Sequence, residues 1–361
     1  MTQVTVSPVT DFAALEDRWR GLEARANGSF FQGWTWTGCL AEERFTDPLL
    51  VEAREAGRTV ALALFNRRRS RLRGDTLFLG ESGARAFDCI YIEHNGVLAE
   101  AGREQELSTA CLRAAHCMAR GWRRNRLMLS GVDDVTAAVA RCVAAVVSAG
   151  RTRPALFVDL VRLRQERVDY LDRRSANTRQ QIRRSDRAYG SLTVRRARNA
   201  AEAHAMLDVM VPLHQATWTA RGQPGCFAEP FFGRFHHALV DRGMARNEID
   251  MLRVEAGTGV VGILYNFRYR GRSAAYQSGF VYDMANPRMK PGLTCHHQAI
   301  RYSLENGIDY YDFLAGDDRY KHSLADQGIR LHWLTADSAW SPAMWSGPAQ
   351  TVTAQLRRFR S

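Results

Sequence analysis

Residues 249–314, IDMLRVEAGTGVVGILYNFRYRGRSAAYQSGFVYDMANPRMKPGLTCHHQAIRYSLENGIDYYDFL, fix the class of fold. The first 34 of them read as a three-stranded meander: Ile249 to Glu255, Val260 to Tyr269, and Ser273 to Tyr282, joined by Gly-containing turns. In the middle strand Val261, Ile263, Tyr265, Phe267 and Tyr269 alternate onto one face. Pro291 then opens a helix that stops at Asn306-Gly307, an αL exit, and Ile308 to Leu314 returns as a strand. Gly257-Thr258-Gly259-Val260-Val261-Gly262 spells G-x-G-x-x-G, the dinucleotide fingerprint. That motif works only where its glycines open a helix, and here the residues that follow alternate as a strand. It is a hairpin turn, and no nicotinamide cofactor is expected.

Working outward, the strand Leu192 to Arg195 and helices over about Ala200 to Ala220 and Pro230 to Arg242 precede the meander, and a last strand near Ile329 to Leu334 follows. A basic helix runs from Ser175 to Arg187. The first half follows a similar order. Asp11 caps a helix carrying Phe12, Leu15, Trp19 and Leu22 on one face, and a second helix covers about Gln32 to Arg44. Short strands are expected at Leu49 to Glu55, Val60 to Phe65, Thr76 to Leu79 and Cys89 to Ile92. A helix from about Glu104 to Arg120, a strand Arg126 to Ser130, a helix Val135 to Ser148 and a strand Ala155 to Leu160 complete it. Gly121 followed by Leu129-Ser130-Gly131-Val132-Asp133-Asp134 matches Gly307 followed by Leu314-Ala315-Gly316-Asp317-Asp318, so helix, strand and acidic loop recur in step. The expected class is α/β (α+β), each half a mixed, mostly antiparallel sheet flanked by helices. The expected domains are 1–154 and 155–340, with a tail at 341–361.

The 361 residues carry 50 Lys+Arg against 38 Asp+Glu, a formal charge of +12, in a composition ordinary for a folded chain. The excess is local: residues 151–200 hold 14 Arg and 5 Asp+Glu. A one-signed patch of this kind steers anionic ligands. No apolar run is long enough to span a membrane, and the N-terminus lacks the features of a secretory signal. The seven cysteines, with no C-x-x-C pair, read as reduced thiols of the cytoplasm.

Four places carry chemistry. Arg288-Met289-Lys290-Pro291-Gly292-Leu293 offers unpaired N–H groups at a helix start, close backbone approach at Gly292, and two cations, which together suit a phosphate. Lys290 is one of only two lysines in the chain, the other being Lys321. The corresponding helix of the first half is preceded and opened by Glu100, Glu104 and Glu106, which would repel an anion. In Tyr311-Asp312-Phe313-Leu314-Ala315-Gly316-Asp317-Asp318-Arg319-Tyr320-Lys321, Asp312 is expected to be partly desolvated, either as a base or as the partner of a nearby arginine. Tyr320 and Lys321 could serve a leaving group or simply hold structure. His214-x-x-x-Trp218 ends a helix before the Gly-rich, aromatic run Arg221 to Phe227. Adjacent His296 and His297 point to different sides of a helix, and no metal is expected. Arg179, Arg183 and Arg187 form a stripe at i, i+4, i+8, widened by Arg184, without the interleaved aromatics that stack nucleic-acid bases.

The signatures Ser175…Arg179…Arg183-Arg184, His214…Trp218, Tyr276…Ser278-Gly279-Phe280, Pro291-Gly292-Leu293, Tyr311-Asp312-Phe313-Leu314-x-Gly316 and Tyr320-Lys321 resemble, as a set, the CelD-like acetyltransferases of the GNAT (Gcn5-related) superfamily, relatives of the Fem-type aminoacyltransferases. The resemblance spans roughly residues 155–325, with a weaker echo over 1–150. It implies two tandem GNAT-like domains, the first degenerate and non-catalytic. It also implies acyl transfer from acetyl-CoA or another acyl-CoA to an amine of a small-molecule or sugar acceptor, by direct attack. Gly279 and Phe280 would lie at the thioester, and Arg288, Lys290, Pro291, Gly292 and Leu293 at the CoA pyrophosphate. Asp312 or His214 would be the base, Tyr320 or Lys321 would assist the leaving group, and Trp218, Tyr276, Ser278, Arg179 and Arg183 would contact substrate. GNAT enzymes usually carry Q/R-x-x-G-x-G/A where this chain has Arg288-x-x-Pro291-Gly292-Leu293. Two other readings stay open: an aminoacyl-tRNA donor, as in Fem-type relatives, and a non-enzymatic binding module on the GNAT scaffold.

Overall fold

The computed structural model describes residues 1–70, 74–118, 125–257 and 259–337. Two compact units divide these residues, 1–152 with 330–337, and 153–329. In the first, β1 (Gln3–Pro8) leads to helices α1 (Phe12–Glu23) and α2 (Trp34–Arg44), the meander β2 (Pro48–Glu55), β3 (Arg58–Arg68), β4 (Thr76–Leu79), a short β5 (Leu98–Ala99), then α3 (Glu104–Cys117), β6 (Arg126–Val132) and α4 (Asp134–Val143). Next, β7 (Val146–Asp159) carries the chain into the second unit. There α5 (Leu160–Glu166) and α6 (Ala176–Tyr189) lead to β8 (Leu192–Arg196), α7 (Ala200–Ala220), α8 (Pro230–Met244), the meander β9 (Ile249–Ala256), β10 (Gly259–Tyr269), β11 (Arg272–Phe280), then α9 (Pro291–Glu305), β12 (Tyr310–Ala315) and α10 (Arg319–Leu324). Finally β13 (Gln327–Asp337) returns to the first.

The strands of the two units pair to one plan. In the first unit β1, β2, β3 and β4 pair antiparallel in sequence, and β4 pairs parallel with β6. In the second β8, β9, β10 and β11 pair antiparallel, and β11 pairs parallel with β12. The strand beyond each parallel pair comes from the other half of the chain: β13 pairs antiparallel with β6, and β7 with β12. The strand near Ile329 to Leu334, expected to complete the second domain, therefore completes the first, and the units divide at 152/153 instead of 154/155. Two local expectations also change. The helix expected to Ser148 stops at Val143, because β-branched Val146 and Val147 open β7. Residues Cys89 to Ile92 form no strand, and the short strand lies at Leu98–Ala99. Gly121 and the tail 341–361 lie outside the described residues.

The packing follows the sequence patterns. Asp11 caps α1 by accepting from Ala14 N at 3.0 Å, and Leu15, Trp19 and Leu22 are buried. Ile263, Tyr265 and Phe267 of β10 are fully buried on one face. The acidic loops recur nearly in step: β6 carries positive-φ Gly131 as its next-to-last residue and is followed by the N-cap Asp133, and β12 is followed by positive-φ Gly316 and the N-cap Asp318.

Each sheet forks where its parallel pair parts, and the two forks differ. In the first unit β4 and β6 pair from Thr76↔Arg126 to Leu79↔Leu129. Beyond that point the Asn95 amide donates to Leu79 O (3.0 Å) and to Ser130 O (3.1 Å), bridging the strands as a peptide group would. The helix beyond, α3, opens with Glu104 and Glu106. In the second unit β11 and β12 pair only at Arg272↔Tyr310, Ser273↔Tyr311 and Ala274↔Asp312, after which β11 runs on to Phe280.

Candidate functional site

The β11–β12 fork is built from β11, β12 and the start of α9. Val281 N donates to Val261 O of β10, and Gly279 stands opposite Ile263. The alternation of an antiparallel ladder therefore turns the N–H groups of Ser278 and Phe280 away from β10, toward the side that β12 has left. Gly279 is required for a different reason. A Cβ there would lie 2.5 Å from Met210 O, so only glycine lets α7 cross β11 this closely. Gly279→Ala is expected to destabilise the chain by about 1–3 kcal/mol and to displace His214, measured by denaturant unfolding.

His214, on α7, is 4 % exposed; its Nδ1 lies 3.1 Å from Ser278 O and its Nε2 3.2 Å from Cys226 Sγ. Burial pushes the imidazole down to about 4, against the raising effect of the Ser278 carbonyl, so it is neutral at pH 7. Trp218 and Phe227 flank the ring at 5.9 and 5.2 Å. Tyr276 packs instead among Phe232, His236, Tyr265 and Phe267, 8 % exposed.

Of the two readings open at Asp312, the structure forms the ion pair. The carboxylate is fully buried, with Oδ2 2.7 Å from Arg272 Nη1 and Oδ1 accepting Leu314 N–H at 2.7 Å. Lys321 donates to Ala315 O at 2.7 Å and faces Asp318 at 3.8 Å, holding the turn after β12. Tyr320 is 41 % exposed and stacks on His296 at 5.7 Å. His296 also meets Phe280 at 6.0 Å and Phe313 at 5.3 Å, so four rings lie together where β11 and β12 part. Its Nδ1 lies 3.0 Å from Tyr311 Oη, and burial, then Lys321, pushes the imidazole down to about 3. The neighbouring His297 goes to Asp186 at 2.7 Å, so the two histidines hold separate partners. Among the described residues no cluster of metal-ligating side chains forms.

At the start of α9 no side chain among the described residues caps the helix, and Pro291 has no N–H to give. The amides of Gly292 and Leu293 precede the first intrahelical donor, Thr294 N to Lys290 O. Helix α6 aligns this corner through Ser185, whose Oγ accepts Lys290 N–H at 2.8 Å, and through Gln181 Oε1, which accepts from Lys290 Nζ at 2.7 Å. Arg288 is exposed in the preceding loop. On α6, Thr178, Ile182 and Ser185 are buried, Arg179 is half-buried, and Arg183, Arg184 and Arg187 face solvent. Arg183 lies 3.9 Å from Asp172.

Sequence reasoning missed three residues here. Cys226 becomes visible only when the run Arg221 to Phe227 folds back on α7. Tyr189, at the end of α6, buries its hydroxyl without a hydrogen-bond partner among the described residues, and burial pushes the phenol up to about 12. Arg272 was hidden because its partner Asp312 lies 40 residues away across a parallel strand pair.

Residues 172–322 match the family model described as an acetyltransferase (GNAT) domain. No curated protein matches the sequence. Among solved structures, FemX aligns over 95 % of this chain and 99 % of its own, with 9 % identity and a TM-score of 0.61. The C-terminal domain (DUF2156) of a putative lysylphosphatidylglycerol synthetase from Agrobacterium fabrum covers 96 % and 95 %, at 11 % identity and a TM-score of 0.54. L-PGS from Bacillus licheniformis covers 95 % and 96 %, at 11 % and 0.54. At such identities the likeness is one of fold. No helix among the described residues is long and apolar enough to cross a membrane. Residues 172–322 thus resemble a GNAT acetyltransferase domain, within a chain whose fold is similar to that of FemX.

Proposed function

We propose that the second unit is an N-acyltransferase that moves an acyl group from an acyl-CoA to an amine of a small molecule or sugar. The observation that carries this reading is the open fork. Its β11 edge presents the Ser278 and Phe280 N–H groups, and the helix that follows, α9, starts uncapped beside Lys290. A thioester carbonyl at those N–H groups would gain charge stabilisation as its oxygen turns anionic. The CoA pyrophosphate would take the Gly292 and Leu293 amides, with Lys290 and Arg288 adding charge. His214, neutral and fixed at Nδ1, is the base. Tyr320, half exposed beside the rings of the fork, serves the leaving thiolate, because Lys321 is held by carbonyl oxygens. Among its described residues the first unit shows neither feature: Asn95 bridges its fork and glutamates open its helix. That supports a structural part for it. The motif set favours the CelD-like branch.

The test is calorimetric titration of CoA and acetyl-CoA into the wild type and Gly292→Asp. A Cβ at Gly292 would sit 3.4 Å from the Phe280 ring, so the aspartate enters with little rearrangement and acts through its charge. The dissociation constant is expected to rise about tenfold, equivalent to about 1.4 kcal/mol; equal binding by both proteins refutes the phosphate assignment. A second reading, an aminoacyl-tRNA donor, is favoured by the solvent-facing Arg183, Arg184 and Arg187 on the helix packed beside α9. Affinity for tRNA that falls steeply with salt would select it.

A further inference from the structure

The thiol beside His214 has no part in the reaction so far. Ser278 O can only accept, so His214 Nδ1 carries the proton and Nε2 keeps a lone pair. Cys226 Sγ, 3.2 Å from that Nε2, is therefore the donor of its pair. This is a nucleophile, a base and an orienting acceptor in line, the arrangement that activates a thiol by proton transfer during attack.

The thiol is held from both sides. Gly225, at φ 69°, packs so closely on Gln215 that a Cβ would lie 2.3 Å from Oε1, and Gln215 Nε2 donates to Pro224 O at 2.8 Å. Phe227 sits edge-on to His214 at 5.2 Å and to Phe232 at 4.8 Å. Cys226 is partly exposed, whereas Cys39, Cys111 and Cys295 are buried, and burial alone pushes the Cys111 thiol up to about 12. The residue that orients His214 is also the one whose N–H faces the fork. Thiol, base and carbonyl-binding amide thus surround one position on β11.

We propose that Cys226 is a further catalytic nucleophile, which takes the acyl group from the donor thioester with His214 as its base and then passes it to the amine. The inference rests on the acyl-thioester reading above and replaces direct attack by two transfers. In the first, the Cys226 S–H proton moves to His214 Nε2, Sγ bonds the carbonyl carbon, the donor C–S bond breaks, and the leaving thiolate takes the proton from Nε2. In the second, the amine nitrogen bonds the same carbon, the bond to Cys226 Sγ breaks, and the amine proton returns to Sγ through Nε2. Nothing is oxidised or reduced.

The experiment treats the full chain with acetyl-CoA, and separately with S-acetyl-N-acetylcysteamine, which lacks phosphates and needs no site at α9. Both run without amine, are quenched in acid and read by mass spectrometry of the Cys226 peptide. The expected result is one acetyl group on Cys226 from either donor, removed by neutral hydroxylamine and absent in Cys226→Ala. Labelling should slow at least about hundredfold in His214→Gln, and Cys226→Ser should hold the acetyl as an ester that hydroxylamine releases far more slowly. Label from the small thioester alone supports the nucleophile and overturns the CoA reading. An unlabelled Cys226 in wild type overturns the nucleophile, whether or not either donor is consumed; acetyl-CoA consumed with glucosamine but without label would leave the CoA reading standing.

Discussion

Asp312→Ala is expected to remove about 3–5 kcal/mol of folding stability, read as a lower midpoint in urea. The carboxylate holds two groups at once, the Arg272 guanidinium and the Leu314 N–H, each at 2.7 Å. Its loss leaves the guanidinium, 32 % exposed and packed against the Phe157 and Tyr310 rings, without its counter-charge. It also leaves a buried amide without an acceptor, which costs about 1–3 kcal/mol by itself. Leu314 sits at φ 60°, unfavourable for leucine, and the Asp312 hydrogen bond helps to hold it there. Because that turn ends β12, the fork should lose its shape with the fold. Asp312→Asn keeps an acceptor for Leu314 and loses only the charge, so its cost should be smaller. If Asp312 were instead the base, Asp312→Asn would abolish turnover while leaving the midpoint unchanged.

Acidification from pH 7 to 4.5 is expected to cost roughly 5 kcal/mol through two histidines. His214 and His296 have folded-state values of about 4 and about 3, each below the ordinary 6.5 because burial opposes the charged ring. The unfolded chain takes up both protons as pH falls through 6.5, while the folded chain still refuses them. Their contribution is complete above about 6.5 and is lost progressively toward 4 and 3. His236, fully buried and also held well below 6.5, acts in the same direction. A loss of this size is comparable to the whole stability of an ordinary domain, so unfolding should set in between pH 4 and 5. Urea titrations at stepped pH check it, and His296→Gln should remove close to half of the slope.

Much of the fold could be read from local patterns. The alternation from Val261 to Tyr269, the Pro291 start and the Asp11 cap are each decided by neighbours in sequence, and each lies where the sequence placed it. Partner choice was not legible. The pattern of β13 says strand, but nothing in Ile329 to Leu334 says that its partner is β6, some 200 residues upstream. The site divides in the same way. The uncapped helix start is a local property of six residues. The His214–Cys226 contact depends on how the chain turns back after α7, and the Asp312 pairing on a strand register; both are tertiary facts that composition does not encode.

Because β7 and β13 each end in the sheet that the other half began, the halves of this chain are mutual lodgers. A fragment cut to the family match at 172–322 would lack β7, leaving β12 as a raw border inviting adhesion between copies. A gene that shed its first 152 codons would likewise strand Arg330–Asp337 without β6 to receive it. Such interdependence gives selection a reason to keep the first half: its dismissal would evict the second.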